Sequence, residues 1–155
     1  MMIHEAAPVR QWVHMLRRLY WRLVRPTTRG SRVLILDEEN ILLVRHTYGP
    51  WWYLPGGGSR RGEMFDDATQ REVHEETGLE VQHLRFLNMY FSQQEGKRDR
   101  IAVFATTMYE GIPHVRSREI AEVQFHPLHA LPHDVSPATR RRITEYLEGT
   151  TSDLW

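Results

Sequence analysis

Apolar residues recur along this chain with two different periods, and each change of period marks an element. Between positions 9 and 24 they fall at Val9, Trp12, Val13, Leu16, Leu19, Tyr20, Leu23 and Val24. At about 100° per residue these occupy one arc roughly 140° wide, which predicts an amphipathic helix. Pro8 suits its first turn and Pro26 its end. Two β-rich runs follow, at 32–36 and 41–45, on either side of the turn-prone Asp37-Glu38-Glu39-Asn40. An aromatic and glycine-rich loop covers 51–62. The helical period then returns from about Asp66 to Thr77 and stops at Gly78, a suitable left-handed cap. Residues 79–91 and 101–109 read as one long hairpin around a polar tip at 93–100, 122–126 as a short strand, and 139–147 as a closing helix. Strands on either side of a central helix predict a layered α/β domain over residues 31–155, preceded by a helical appendage and linker over 1–30.

Composition narrows this picture by exclusion. A chain of 155 residues is the size of one domain, and no run approaches the ~20 apolar residues of a membrane span. With no cysteine there are no disulfides, thiolate nucleophiles or thiolate metal sites, so a cytoplasmic location is the expectation. Lys and Arg number 20, as do Asp and Glu, which argues against a surface coated for nucleic acid. The balance conceals an asymmetry. From Met1 to Arg32 seven arginines face Glu5 alone, giving +6 and leaving −6 for the rest.

The chemistry lies in the central helix. Glu72, Glu75 and Glu76 stand at i, i+3 and i+4, so their carboxylates share a stripe of about 100°. Like charges at that spacing repel, and the ordinary reading of three such acids is a solvated face. A hard divalent cation, however, wants several carboxylate oxygens together with water and phosphate. Glu63, at the junction of loop and helix, is placed to fold back onto the same ion, and Arg71 is the one basic residue among these acids. Gly56-Gly57-Gly58 alone means little, because no phosphate-loop or dinucleotide fingerprint surrounds it.

Taken together, Gly57, Glu63, Arg71, Glu72, Val73, Glu75, Glu76, Gly78 and Leu79 match G-x5-E-x7-R-E-U-x-E-E-x-G-U at every position, U being a bulky aliphatic. This resembles the signature of the Nudix hydrolases. The approach Trp52-Tyr53-Leu54-Pro55-Gly56-Gly57 and the preceding strand pair resemble the family as well, so the likeness covers roughly residues 31 to 147. It implies an α/β/α sandwich with a mixed sheet. It also implies a hydrolase that cuts a nucleoside diphosphate from another group with Mg²⁺ or Mn²⁺. By motif position Glu72, Glu75 and Glu76 are the implied metal ligands, Glu63 a ligand or its neighbour, the Gly57 carbonyl a further oxygen, and Arg71 an orienting residue.

The remaining roles are less portable. Glu119 and Glu122 are the candidates for activating water, with Glu119 preferred; Glu72 and Glu75 can also serve within the box. Arg45, and second Arg32, are candidates for phosphate, and Trp51 and Tyr53 for stacking on a base or sugar, whereas Trp52 reads as a loop anchor. Residues that flag particular substrates are missing. A proline would fall at Gln94 or Glu95 and a tyrosine near Gly96, and Ser92-Gln93-Gln94 only begins a third pattern. A small nucleotide, nucleoside triphosphate or nucleotide sugar is the expected substrate. The alternatives are a non-catalytic nucleotide-binding module and an RNA 5′-end pyrophosphohydrolase, the latter suggested by the basic N-terminal segment. The apolar arc of that segment carries Trp12, Leu16, Leu19 and Leu23 and needs a covering surface. Opposite charge favours the domain itself, and Trp21, among the arginines of the other face, predicts a homodimer contact.

Overall fold

A computed structural model describes residues 27–92 and 98–155. The predicted N-terminal helix and the Trp21 dimer contact lie outside them. Strand β1 (Thr27–Asp37) begins earlier than its apolar run suggests and turns through Glu38, which has a positive φ of 54°, into β2 (Asn40–His46). Residues 52–53 form a brief strand, β3 (Trp52–Tyr53). Helix α1 (Phe65–Thr77) is followed by β4 (Glu80–Gln82), β5 (Arg85–Ser92), β6 (Arg98–Thr106) and β7 (Met108–Glu110). Strand β8 (Ile120–Pro127), a short 3-10 turn at Leu128–Ala130 and helix α2 (Pro137–Glu148) complete the described elements.

The main sheet is mixed. Its order is β3-β2-β1-β6-β5, with β8 on β2; β1 and β6 run parallel while the other pairings are antiparallel. Both faces are covered, so β1 and β2 read as continuous apolar runs rather than alternating ones. Val33, Ile35 and Leu42 point to one core with Val73 of α1, whereas Leu34, Leu36, Ile41 and Leu43 point to the other with Ile143 of α2. This is the α/β/α sandwich expected.

The long hairpin is corrected by the structure. Its two arms do pair, but each is interrupted: His83 adopts φ 49° between β4 and β5, and Thr106 turns its hydroxyl to the Gln82 carbonyl at 2.6 Å where β6 gives way to β7. Strands β5 and β6 stay in the main sheet, while β4 and β7 peel away as a separate pair. The free edge of β5 is covered in turn by the segment at 152–155, through Phe91 N–H to Asp153 O (3.0 Å) and Trp155 N–H to Phe91 O (3.1 Å). Covering that edge removes a row of backbone groups that would otherwise be open to pairing.

Candidate active site

The site begins where the chain approaches β1 a second time. Ser31 N–H donates to Gly57 O (2.9 Å), Val33 N–H to Pro55 O (3.0 Å) and Ser59 N–H to Arg29 O (2.8 Å), so the glycine loop lies along β1 almost as another strand. Gly56 makes this possible. Its φ is +131°, and a β-carbon there would stand 2.3 Å from the Ser31 carbonyl oxygen.

Helix α1 opens with Asp66 and Asp67 in its first turn, where the helix dipole favours acids. It ends at Gly78, left-handed at φ 75°, with its N–H on His74 O. Ala68, Thr69, Val73, Glu76 and Thr77 form its buried face. The three acids therefore do not share one environment. Glu76, one turn from Val73, is only 7% exposed and accepts the Gly56 N–H at 3.0 Å. Burial pushes its carboxyl up to about 7, against the opposing pull of that N–H and of Arg32. The charges of Glu72 and Glu119 push in the same direction as burial, so three carboxylates reach one another's field.

Glu72, Glu75 and Glu63 are gathered by Arg71. Its Nε and Nη2 form a two-pronged pair with Glu63 (2.8 and 2.9 Å), Nη1 reaches Glu72 (2.7 Å) and Glu75 (3.3 Å), and Nη2 also donates to Gly58 O (2.9 Å). The planar fork of arginine suits this arrangement. The Arg71 hydrogen bonds come first, and the Arg60 backbone N–H second (2.7 Å), in holding the Glu63 carboxyl down to about 2. Arg60 also pairs with Glu75 at 3.4 Å. Among the described residues no three acidic or imidazole groups converge on one point as a preassembled ion cage. The donors are nevertheless the right kind for a hard cation: four carboxylates and the Gly57 carbonyl, on a backbone so close that a Gly57 β-carbon would stand 2.4 Å from the Glu72 carboxylate.

The other expected residues divide. Glu119 is exposed at the entry to β8, and its carbonyl accepts from Thr47 N–H (2.9 Å), which ties the β2–β3 loop to the acid cluster. Glu122 is instead held by Arg45 at 3.4 Å. Arg45 was expected to face phosphate and does not stand with the carboxylates. It pairs with Asp134 (2.8 Å) and covers the Trp52 ring, so its charge is taken up on the α2 side of the sheet. Arg32 makes no ion pair among the described residues, donates to Ser31 O (3.0 Å), and acts on Glu76. Trp52 is buried in the core, as an anchor should be; Trp51 is 40% exposed, and Tyr53 touches His46 with ring centroids 5.3 Å apart.

His46 and Tyr48 were not anticipated. Both feel the charges of Glu119 and Arg32, so they border the same cluster. The signal was present in the period of β2, since Leu42, Val44 and His46 alternate with Leu43 and Arg45. Parity sets His46, not Arg45, on the side of α1.

Residues 26–147 match the NUDIX domain family. A Bacillus subtilis (strain 168) protein provisionally named an 8-oxo-dGTP diphosphatase is 30% identical over 123 residues, covering 79% of this chain and 81% of that one. The mouse diphosphoinositol polyphosphate phosphohydrolase 3-alpha is 38% identical over 74 residues, 47% of this chain and 44% of the mouse protein. Among solved structures, a MutT NUDIX hydrolase from Burkholderia pseudomallei superposes with a TM-score of 0.70 at 24% identity, covering 76% of this chain and 96% of its own. The chain belongs to the Nudix hydrolases, and it is an enzyme of that family, whose members generally use divalent metals. Among the described residues no helix is long and apolar enough to cross a membrane.

Proposed function

We propose that this hydrolase cuts the pyrophosphate link of a nucleoside diphosphate derivative, such as a nucleoside triphosphate or nucleotide sugar, with Mg²⁺ or Mn²⁺. The observation that carries this reading is the burial of Glu76 against the Gly56 N–H, with Glu72 packed on Gly57 beside it. A carboxylate only 7% exposed costs free energy unless it meets positive charge, and burial outweighs the pull of the Gly56 N–H and of Arg32 on Glu76. Glu72, Glu75 and Glu76 would hold the ion, with Glu63 and the Gly57 carbonyl as further oxygens. When bound, it would neutralise the polyanion and ready a water for attack at phosphorus.

The chain's own groups supply the rest. Glu119 accepts the proton of the attacking water: it is free of ion pairs among the described residues, whereas Glu122 is occupied by Arg45. Arg71 keeps Glu63, Glu72 and Glu75 in place through hydrogen bonds and is a positioning residue. The nucleotide class is supported by the name of the Bacillus subtilis relative, which spans most of this chain. The test is release of phosphomonoester products from a panel of nucleotides, with and without a chelator. Metal-dependent turnover of at least one nucleotide is expected; turnover unaffected by chelation, or none across the panel, overturns the reading.

A further inference from the structure

We propose that the flat stack of Tyr48 on His46 is the seat of the substrate's aromatic base. The proposal rests on the nucleotide reading above and names the surface that would enforce it. The rings of His46 and Tyr48 lie 4.9 Å apart at 18°, and the Tyr53 ring meets His46 at 5.3 Å, tilted by 59°. Such an offset stack leaves the outer face of Tyr48 open, and the residue is 75% exposed. A base has a π-face that can cover an aromatic ring held flat and open in this way.

Position argues the same way. Thr47, between the two rings, is fastened to the Glu119 carbonyl by its N–H at 2.9 Å and its hydroxyl at 3.3 Å. The stack is thereby anchored to the residue assigned to the water. Partial burial first, and the charge of Glu119 second, raise the Tyr48 hydroxyl, with Glu76 also contributing. A base on Tyr48 would thus lie beside the carboxylates that face the phosphates.

The experiment compares calorimetric binding of AMP, GMP, CMP and UMP with that of ribose 5-phosphate, in Mg²⁺, to the wild type, Tyr48→Phe and Tyr48→Leu. Both substitutions are at an exposed position, and circular dichroism verifies that each variant is folded. The wild type and Tyr48→Phe should bind at least one monophosphate about tenfold more tightly than ribose 5-phosphate, and Tyr48→Leu should lose that margin. A wild type that binds ribose 5-phosphate as well as every nucleotide overturns the proposal, as does a Tyr48→Leu protein that keeps the margin. Base-dependent binding lost in Tyr48→Leu but accompanied by no hydrolysis of any nucleotide supports the stack and overturns the hydrolytic reading alone.

Discussion

The Glu72 carboxylate lies directly against Gly57, so close that a β-carbon at Gly57 would stand 2.4 Å from its carboxyl carbon. The neighbouring glycine is constrained in another way: at Gly56 the obstruction is the Ser31 backbone and the φ is positive. The two positions should therefore fail differently. Gly57→Ala can be accommodated by moving a side chain, so the fold survives while Glu72 is displaced and kcat/KM drops roughly tenfold or more. Gly56→Ala must strain or shift backbone, and a loss of about 1–3 kcal/mol in urea unfolding is expected. A Gly57→Ala enzyme with wild-type kcat/KM would show that this approach does not matter to turnover.

Glu76→Gln isolates the buried charge. The glutamine carbonyl oxygen can still accept the Gly56 N–H, so the fold keeps its hydrogen bond and loses an uncomfortable carboxylate. Stability of the metal-free protein should be unchanged or higher. Turnover should fall by roughly a hundredfold, the scale for removing a key electrostatic group. Normal hydrolysis at saturating Mg²⁺ would remove Glu76 from the site.

Glu119→Ala should lower kcat far more than it raises KM, because a group that takes the water's proton acts in the transition state. Glu122→Ala should be mild, since Arg45 keeps Asp134 at 2.8 Å. Steady-state kinetics on both variants decides between them, and the larger kcat effect at Glu122 would reverse the assignment.

Arg71→Lys tests positioning. Lysine keeps the charge but cannot reproduce the two-pronged contact with Glu63 while reaching Glu72 and Glu75. Activity should fall about tenfold or more, with part of the loss recovered at high metal concentration as the loosened carboxylates are drawn together by mass action. Arg71→Ala should be worse and less recoverable. Equal activity for lysine and arginine would mean that charge alone suffices.

Tyr90 offers a pH test remote from the acid cluster. Burial first, and its hydrogen bond to Glu145 at 2.7 Å second, push the phenol up to about 12, from an ordinary value of 10. Because the folded state holds this proton more tightly, its contribution to stability is fully present below pH 10 and is lost as pH rises toward 12. Absorbance titration should find a late ionisation step near pH 12, at the point where the alkaline transition begins. Tyr90→Phe should abolish that late step and cost about 1 kcal/mol at neutral pH.

The local parts of this protein were legible in its sequence. The acid spacing and Gly78 defined α1, and apolar runs located β1 and β2, because helix caps, side-chain period and turn chemistry act over a few residues. The family likeness came from the same short-range pattern, from Gly57 to Leu79. Tertiary structure decided where those side chains stand. Glu76 became the buried acid because its helix face meets the glycine loop 20 residues away. Arg45 stands apart from the carboxylates because Asp134, 89 residues later, pairs with it on the opposite face of the sheet. His46 and Tyr48 joined the site because Thr47 meets Glu119 72 residues on. A charge written in sequence has no partner until distant strands and loops close around it, so residue type was readable early and electrostatic role was not.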